Sequence, residues 1–400
     1  GHREPVFAAE NLEDIRTMDT DIPLDLDGFS PVVVPVAVTE AEIDITAPPP
    51  SFLSSALARP ARPPAISSSQ LSSLLDQGFT KGLAQALHES ANAFPLRIWV
   101  VDNSGSMRAT DGNRFVHTSK RNDIKVVECT RWREIQDTVG YHASMAALLQ
   151  APTAFRMLND PGMGEGSQKF GVACSGDGKV DDTRIAEELR RAKEIMQKSS
   201  PGGVTPLALH IREIRDEVAA HAARLRSQGQ RVAIVLATDG LPTDNNGVCD
   251  DYYKRDFVDA IKSLEDLPVW VVVRLCTDDA DIVEYYNEID AQLEISIEVL
   301  DDFTKEAIEV QEFARWLNYG LPLHRCREMG FHDRVFDLLE ERSLTKDELR
   351  DFCRLLFGID KMDGVPEPSV DMRGFCKAVK SMQAEEAGQW NPVNKKVTPW

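Results

Sequence analysis

Three largely apolar runs, Arg97–Val101, Val232–Ala237 and Val269–Leu275, each lead into a polar turn, and three helical stripes lie between the first two. A continuous apolar run reads as a strand covered on both faces, the condition of a parallel sheet. The stripes repeat at helical spacing. One comprises Trp132, Ile135, Val139, His142, Ala146 and Leu149 in 131–150, a second Ile185, Leu189, Ala192 and Ile195, and a third Leu207, Ile211, Ile214, Val218, Ala222 and Leu225. Further strands near 153–158, 168–174 and 295–300, with helices near 255–265 and 303–317, continue the alternation. The expected class is α/β, a doubly wound, mainly parallel sheet flanked by helices. Such sheets place their ligands beyond the C-terminal ends of their strands.

What lies at those ends carries the chemistry. Asp102-Asn103-Ser104-Gly105-Ser106 follows the first run directly, offering one carboxylate and two hydroxyls around a glycine. Thr238-Asp239-Gly240 closes the second run, and Gly202-Gly203-Val204-Thr205-Pro206-Leu207 opens the third stripe. Hard oxygen donors on short turns suit Mg²⁺ or Mn²⁺ far better than zinc. Ordinary structure competes for the same residues. Asp, Ser and Gly are common in turns, and Thr205-Pro206 is a standard helix start, with the hydroxyl as N-cap and the proline in the first turn. Against this, two carboxylates facing one crevice repel unless a cation lies between them.

In Asp102, Ser104, Ser106, Thr205 and Asp239, in that order and on those loops, the chain resembles the von Willebrand factor A-type domain over roughly residues 92–318. The resemblance implies a metal-ion-dependent adhesion site in which these five residues hold Mg²⁺ or Mn²⁺. An open coordination position there takes an Asp or Glu from a protein partner. The implied function is a metal-dependent protein-binding module, an intracellular scaffold or adaptor; the alternative is a regulatory or assembly subunit of an ATPase-type complex. An aspartate-dependent hydrolase would use Asp102 as nucleophile, but Ser104 stands where the second acid of Asp-x-Asp belongs. No Walker loop, Gly-x-Gly-x-x-Gly after a strand, His-Glu-x-x-His or Gly-x-Ser-x-Gly appears, so no enzyme is expected.

A net charge of −20, from 45 basic and 65 acidic residues, disfavours nucleic acid and anionic membranes as partners. No apolar stretch approaches membrane-spanning length. Seven scattered cysteines without a Cys-x-x-Cys point to reduced thiols and a cytoplasmic setting. The first residue is Gly rather than Met, which suggests a trimmed start.

Residues 1–68 are rich in Pro, Ser and acids and read as disordered or extended. A helix broken at Gly78-Phe79 leads into the A-type domain, so that 69–318 form one unit. Two insertions flank the expected site. In 107–131, Phe115–Thr118 and Ile124–Glu128 suit a hairpin whose Arg114, Lys120 and Arg121 are candidates to meet an acidic partner; the other insertion is 243–251. Cys276–Asp279 also follows a strand, where capping the next helix is the expected role. Residues 319–400 read as a separate helical unit. Asp337 to Glu348 has the length of an EF-hand loop, yet Leu339 stands at its third position and Arg342 replaces its glycine, so calcium is not expected there.

Overall fold

The computed structural model describes residues 51–59, 65–164, 166–174, 181–244, 246–277, 279–293, 297–331 and 333–400. Six strands form the central sheet: β1 (Leu96–Val101), β4 (Thr153–Met157), β5 (Lys169–Val172), β6 (Val232–Thr238), β7 (Val269–Leu275) and β8 (Ile297–Leu300), in the order β5-β4-β1-β6-β7-β8. All neighbours are parallel except the β4–β5 pair at one edge. The chain winds outward from β1 to β4 and β5, then crosses back to lay β6 on the other side of β1. The crevice where this order reverses lies between the C-terminal ends of β1 and β6. That is where an open α/β sheet takes a ligand.

Every residue of β1, β6 and β7 is buried, Arg97 and Arg274 included, as their largely apolar sequences suggest. Alternate side chains divide between two cores. Leu96, Ile98, Val100, Ile234, Leu236 and Val271 pack under α6 (Leu207–Ser227), α7 (Asp251–Lys262) and α8 (Ala280–Gln292). Trp99, Val101, Val235, Ala237 and Val272 pack under α4 (Arg131–Leu149) and α5 (Asp182–Lys198). The stripes read from the sequence supply those helix faces: Leu207, Ile211, Ile214, Val218, Ala222 and Leu225 are all buried.

Helix α1 (Phe52–Ala58) lies within the segment expected to be extended. Ser51 caps it, and Leu53 and Leu57 bury themselves in the α6 core, which a Pro-rich composition does not reveal. The remainder of that expectation, residues 1–50 and 60–64, lies outside the described residues. The leading helical stretch is broken where expected, into α2 (Ser68–Asp76) and α3 (Lys81–Ala93); Gly78, at φ +93°, takes the left-handed turn between them.

The expected hairpin forms as β2 (Gly112–His117) and β3 (Ile124–Cys129), paired antiparallel. After β8 come α9 (Phe303–Phe313), α10 (Leu321–Glu328), α11 (Arg334–Glu341), α12 (Lys346–Phe357), α13 (Ile359–Met362), α14 (Met372–Glu385) and the short pair β9 (Gln389–Asn391) and β10 (Lys396–Thr398).

Residues 319–400, expected to stand apart, share a core with α3, α4 and α9. The end of α10 lies directly on the sheet. Arg97 Nε of β1 donates to Met329 O at 2.9 Å, and a β-carbon on Gly330 would sit 3.2 Å from that of Ala233. A helix written Leu-Pro-Leu-His-Arg-Cys-Arg-Glu looks exposed, yet seven of its eight residues are buried, because its charges pair internally. Phe352, Leu356 and Phe375 are buried and Leu355 is half-buried against the same core. Glu348 closes a capping box with Thr345 and pairs with Arg342. Among the described residues no helix is long and apolar enough to cross a membrane.

Candidate functional site

The pairing of β1 and β6 runs one step past β1, where Asp102 N donates to Ala237 O at 2.9 Å. Asp102 therefore sits at the foot of the crevice, fully buried beside Thr238 and Asp239. Its two oxygens are both engaged: Oδ1 accepts from Ser104 N at 2.8 Å, and Oδ2 from Thr238 Oγ1 at 2.6 Å. The first bond curls the loop back on itself and carries Ser104 and Ser106 to the same side. Their hydroxyls meet at 2.9 Å, and Ser106 Oγ donates to Asp239 Oδ1 at 2.8 Å. Four of the five expected residues are thus linked through one run of hydrogen bonds.

Thr205 completes the set from the third loop. A β-carbon on Gly240 would stand 3.9 Å from Thr205 Oγ1 and 4.0 Å from Ser106 Oγ, so both hydroxyls border the space that this glycine leaves open. The N-cap alternative for Thr205 is not realised. Helix α6 starts at Leu207, its cap residue is Pro206, and no side chain caps it. Instead the Thr205 amide donates to Thr243 Oγ1 at 2.9 Å, fixing the loop while leaving the hydroxyl uninvolved in capping.

Two asparagines hold the loops in register. Asn159 N donates to Asn103 Oδ1 at 2.8 Å, and Asn103 Nδ2 to Asn159 O at 2.9 Å. Asn159 Nδ2 then donates to Val204 O at 2.8 Å, and Gly202 N to Asn103 O at 2.7 Å. Sequence reading missed this bracket because Asn103 looks like a mere spacer and Asn159 lies beyond the end of β4.

Burial first, and the Asp239 charge second, push the Asp102 carboxyl up to about 6, against the bonds from Thr238 and Ser104 that oppose the shift. The pair has a partial counter-charge that the sequence did not suggest. Arg131 Nη1 donates to Asp239 Oδ2 at 2.9 Å, while its Nε and Nη2 grip Asp111 at 2.7 and 2.6 Å. Arg131 is the first residue of α4, where acids rather than cations suit the helix dipole. That misplaced charge was the available signal.

Two of the three cations expected to face a partner lie near acids of this chain, while Lys120 is exposed. Arg114 lies 3.6 Å from Asp137, and Arg121 lies 4.0 Å from Asp76. In the second insertion, Asp244 accepts from Asn246 N and Val248 N and Asp250 caps α7, whereas Asn245 lies outside the described residues. Asp279 caps α8 as expected, and Asp278 is again outside the described residues. His142, expected to be a packed residue, is buried with Nε2 2.9 Å from Glu328 Oε2.

The donor set fits a hard divalent ion: two carboxylates and three hydroxyls from three loops, all oxygen, beside a small open space. Comparison with the known protein families and with curated proteins returned no match.

Proposed function

We propose that the chain is a metal-dependent protein-binding module of the von Willebrand factor A type. Asp102, Ser104, Ser106, Thr205 and Asp239 hold Mg²⁺ or Mn²⁺, and a protein partner supplies an Asp or Glu carboxylate. The convergence of five oxygen-bearing side chains at the point where the strand order reverses supports this reading most strongly. When bound, the ion supplies an electrophilic site for a carboxylate. Three of the five donors are neutral hydroxyls, so much of its charge is left for that partner. The chain's own part is to preset the donors: Thr238 and Ser104 N fix the Asp102 carboxylate, and Asn103 with Asn159 fixes the loops.

Hydrolysis is the weaker reading. A nucleophilic Asp102 would need a general acid/base two residues on, where Ser104 offers only a hydroxyl. Binding, as scaffold or adaptor, is the activity that this arrangement serves.

Proton relaxation of water in Mn²⁺ solutions tests the reading. Wild-type protein should give a saturable enhancement that Asp239→Ala abolishes. A short Glu-bearing peptide should then lower the enhancement by displacing metal-bound water, while its Gln counterpart leaves it unchanged. Absent enhancement, or equal effects of the two peptides, would refute the proposal.

A further inference from the structure

The hairpin insertion between Ser106 and α4 does more than decorate the site. It delivers Asp111, and through Asp111 it positions Arg131. The α4 start is clamped from both sides. Arg131 N donates to Ala109 O at 2.9 Å, and Gly112 packs so closely that a β-carbon there would lie 2.8 Å from Arg131 N. Held in this way, the guanidinium spans from a fully buried carboxylate to a half-exposed one: the Asp239 side chain has 0% exposure, Arg131 14% and Asp111 49%.

The division of bonds is uneven. Asp111 takes two short bonds from one edge of the guanidinium, the planar fork geometry that binds carboxylates best. Asp239 takes one, on the oxygen that Ser106 does not use. The stronger grip is therefore at the lip of the site, and the weaker one is on the residue expected to ligate the ion. Asp102, Asp239 and Asp111 together exceed the one guanidinium among them by two negative charges, the charge that a divalent cation brings.

We propose that Arg131 is a resident counter-ion of the metal site, bonded to Asp239 in the free protein and displaced from that oxygen, while still gripped by Asp111, when a divalent ion enters. This rests on the metal-binding reading above and specifies how that binding is regulated. The guanidinium competes with the ion for one carboxylate oxygen, so the apparent metal affinity is lowered by the fraction of molecules in which Arg131 holds Asp239. Asp111 sets that fraction. By sharing the guanidinium it weakens the hold on Asp239 and gives the displaced side chain somewhere to stay. A salt bridge with a purely structural role predicts otherwise, because loss of either partner would then disorder the loop and weaken metal binding.

Mn²⁺ binding followed by the electron paramagnetic resonance of the free ion, alongside thermal unfolding of the metal-free protein, separates these cases. Arg131→Met keeps the aliphatic stem and removes the charge. It should tighten Mn²⁺ binding about tenfold while lowering the melting temperature of the metal-free form. Asp111→Asn should weaken binding severalfold, and adding it to Arg131→Met should change nothing further, because its effect runs through the arginine. Wild-type uptake that Arg131→Met leaves unchanged or weakens overturns this inference and leaves the metal site standing. An Asp111→Asn effect that persists in the Arg131→Met background also overturns it. Absence of uptake by both wild type and Arg131→Met overturns the metal reading and this inference together.

Discussion

Beneath α10, Arg327 donates to Glu298, Glu306 and Glu340, while Glu328 meets Arg325, Arg274 and His142. At the ends of β1 and β6, two aspartates instead meet hydroxyls and one guanidinium held mainly from the rim. Both regions bury carboxylates, which is costly unless they are paired. Under α10 the pairing cations come from buried positions on β7 and α10, and of their partners Glu340 is half-buried. Arg327 and Glu328 are almost wholly inaccessible. Such a network locks α9, α10 and α11 to the sheet and leaves little room for an incoming ion. Glu306, Glu309 and Glu340 approach one another closely enough to suggest a second cation site, but Arg327 already occupies Glu306 and Glu340. In the crevice the hydroxyls bring hydrogen bonds but no positive charge, and the charge deficit remains for a ligand. Carboxylates saturated by internal arginines hold a fold together, whereas carboxylates left partly uncompensated among hydroxyls hold something exchangeable.

The sharpest way to break this contrast is to remove the arginine that has no substitute. Arg327→Met should cost about 3–5 kcal/mol of unfolding free energy, since it strands Glu298 and Glu306 in the interior. Urea denaturation measures this directly, and adding Glu306→Gln should recover part of it. A loss below about 1 kcal/mol would mean that the network is no more than a solvated surface cluster.

A pH series sharpens the contrast from the other side. Burial, acting against Arg327 and helped by Asp337 and Glu340, pushes Glu298 up to about 7 from an ordinary 4.5. A carboxyl raised in the folded state contributes stability that is complete below the unfolded value and lost as pH rises through the folded one. The unfolding free energy of the wild type relative to Glu298→Gln should therefore fall by roughly 1–3 kcal/mol between pH 5 and 8, the buried histidines contributing equally to both proteins. A difference between the two proteins that stays constant or rises over that range would show that Arg327 holds Glu298 ionised throughout.

The smallest expected effect separates ligation from capping. Thr205→Ala should change unfolding free energy by less than about 0.5 kcal/mol, because that hydroxyl caps no helix, and should weaken Mn²⁺ binding severalfold. Thr130→Ala removes the hydroxyl that accepts from Arg133 N at the start of α4 and should cost about 1 kcal/mol. Equal losses at the two threonines would return Thr205 to the structural category.

The five oxygen-bearing residues were legible because each lies within a few residues of a strand or helix end that its own neighbours announce. Val101 and Ala237 end apolar runs, and Leu207 begins a stripe. Arg131 was not legible as a partner of Asp239, since 108 residues separate them and only the folded loops bring them together. The α10 network was hidden for a related reason. Arg327, Glu298 and Glu306 look like exposed faces of amphipathic elements, and a charge pattern alone does not say whether it faces water or another charge. That ambiguity is also why 319–400 read as a separate unit: its link to the sheet runs through Arg97, Met329 and Gly330, a backbone approach that leaves no periodic trace. Helix α1 escaped because Leu53 and Leu57 are too few to stand out in a Pro-rich stretch.

Diffraction from crystals soaked in MnCl₂, recorded for anomalous scattering, tests most directly whether the crevice is a metal site. The expected map has one strong peak enclosed by oxygens of Asp102, Ser104, Ser106, Thr205 and Asp239, with the Arg131 guanidinium withdrawn toward Asp111. A map with no peak there, or with its strongest peak at Glu306, Glu309 and Glu340, would contradict it.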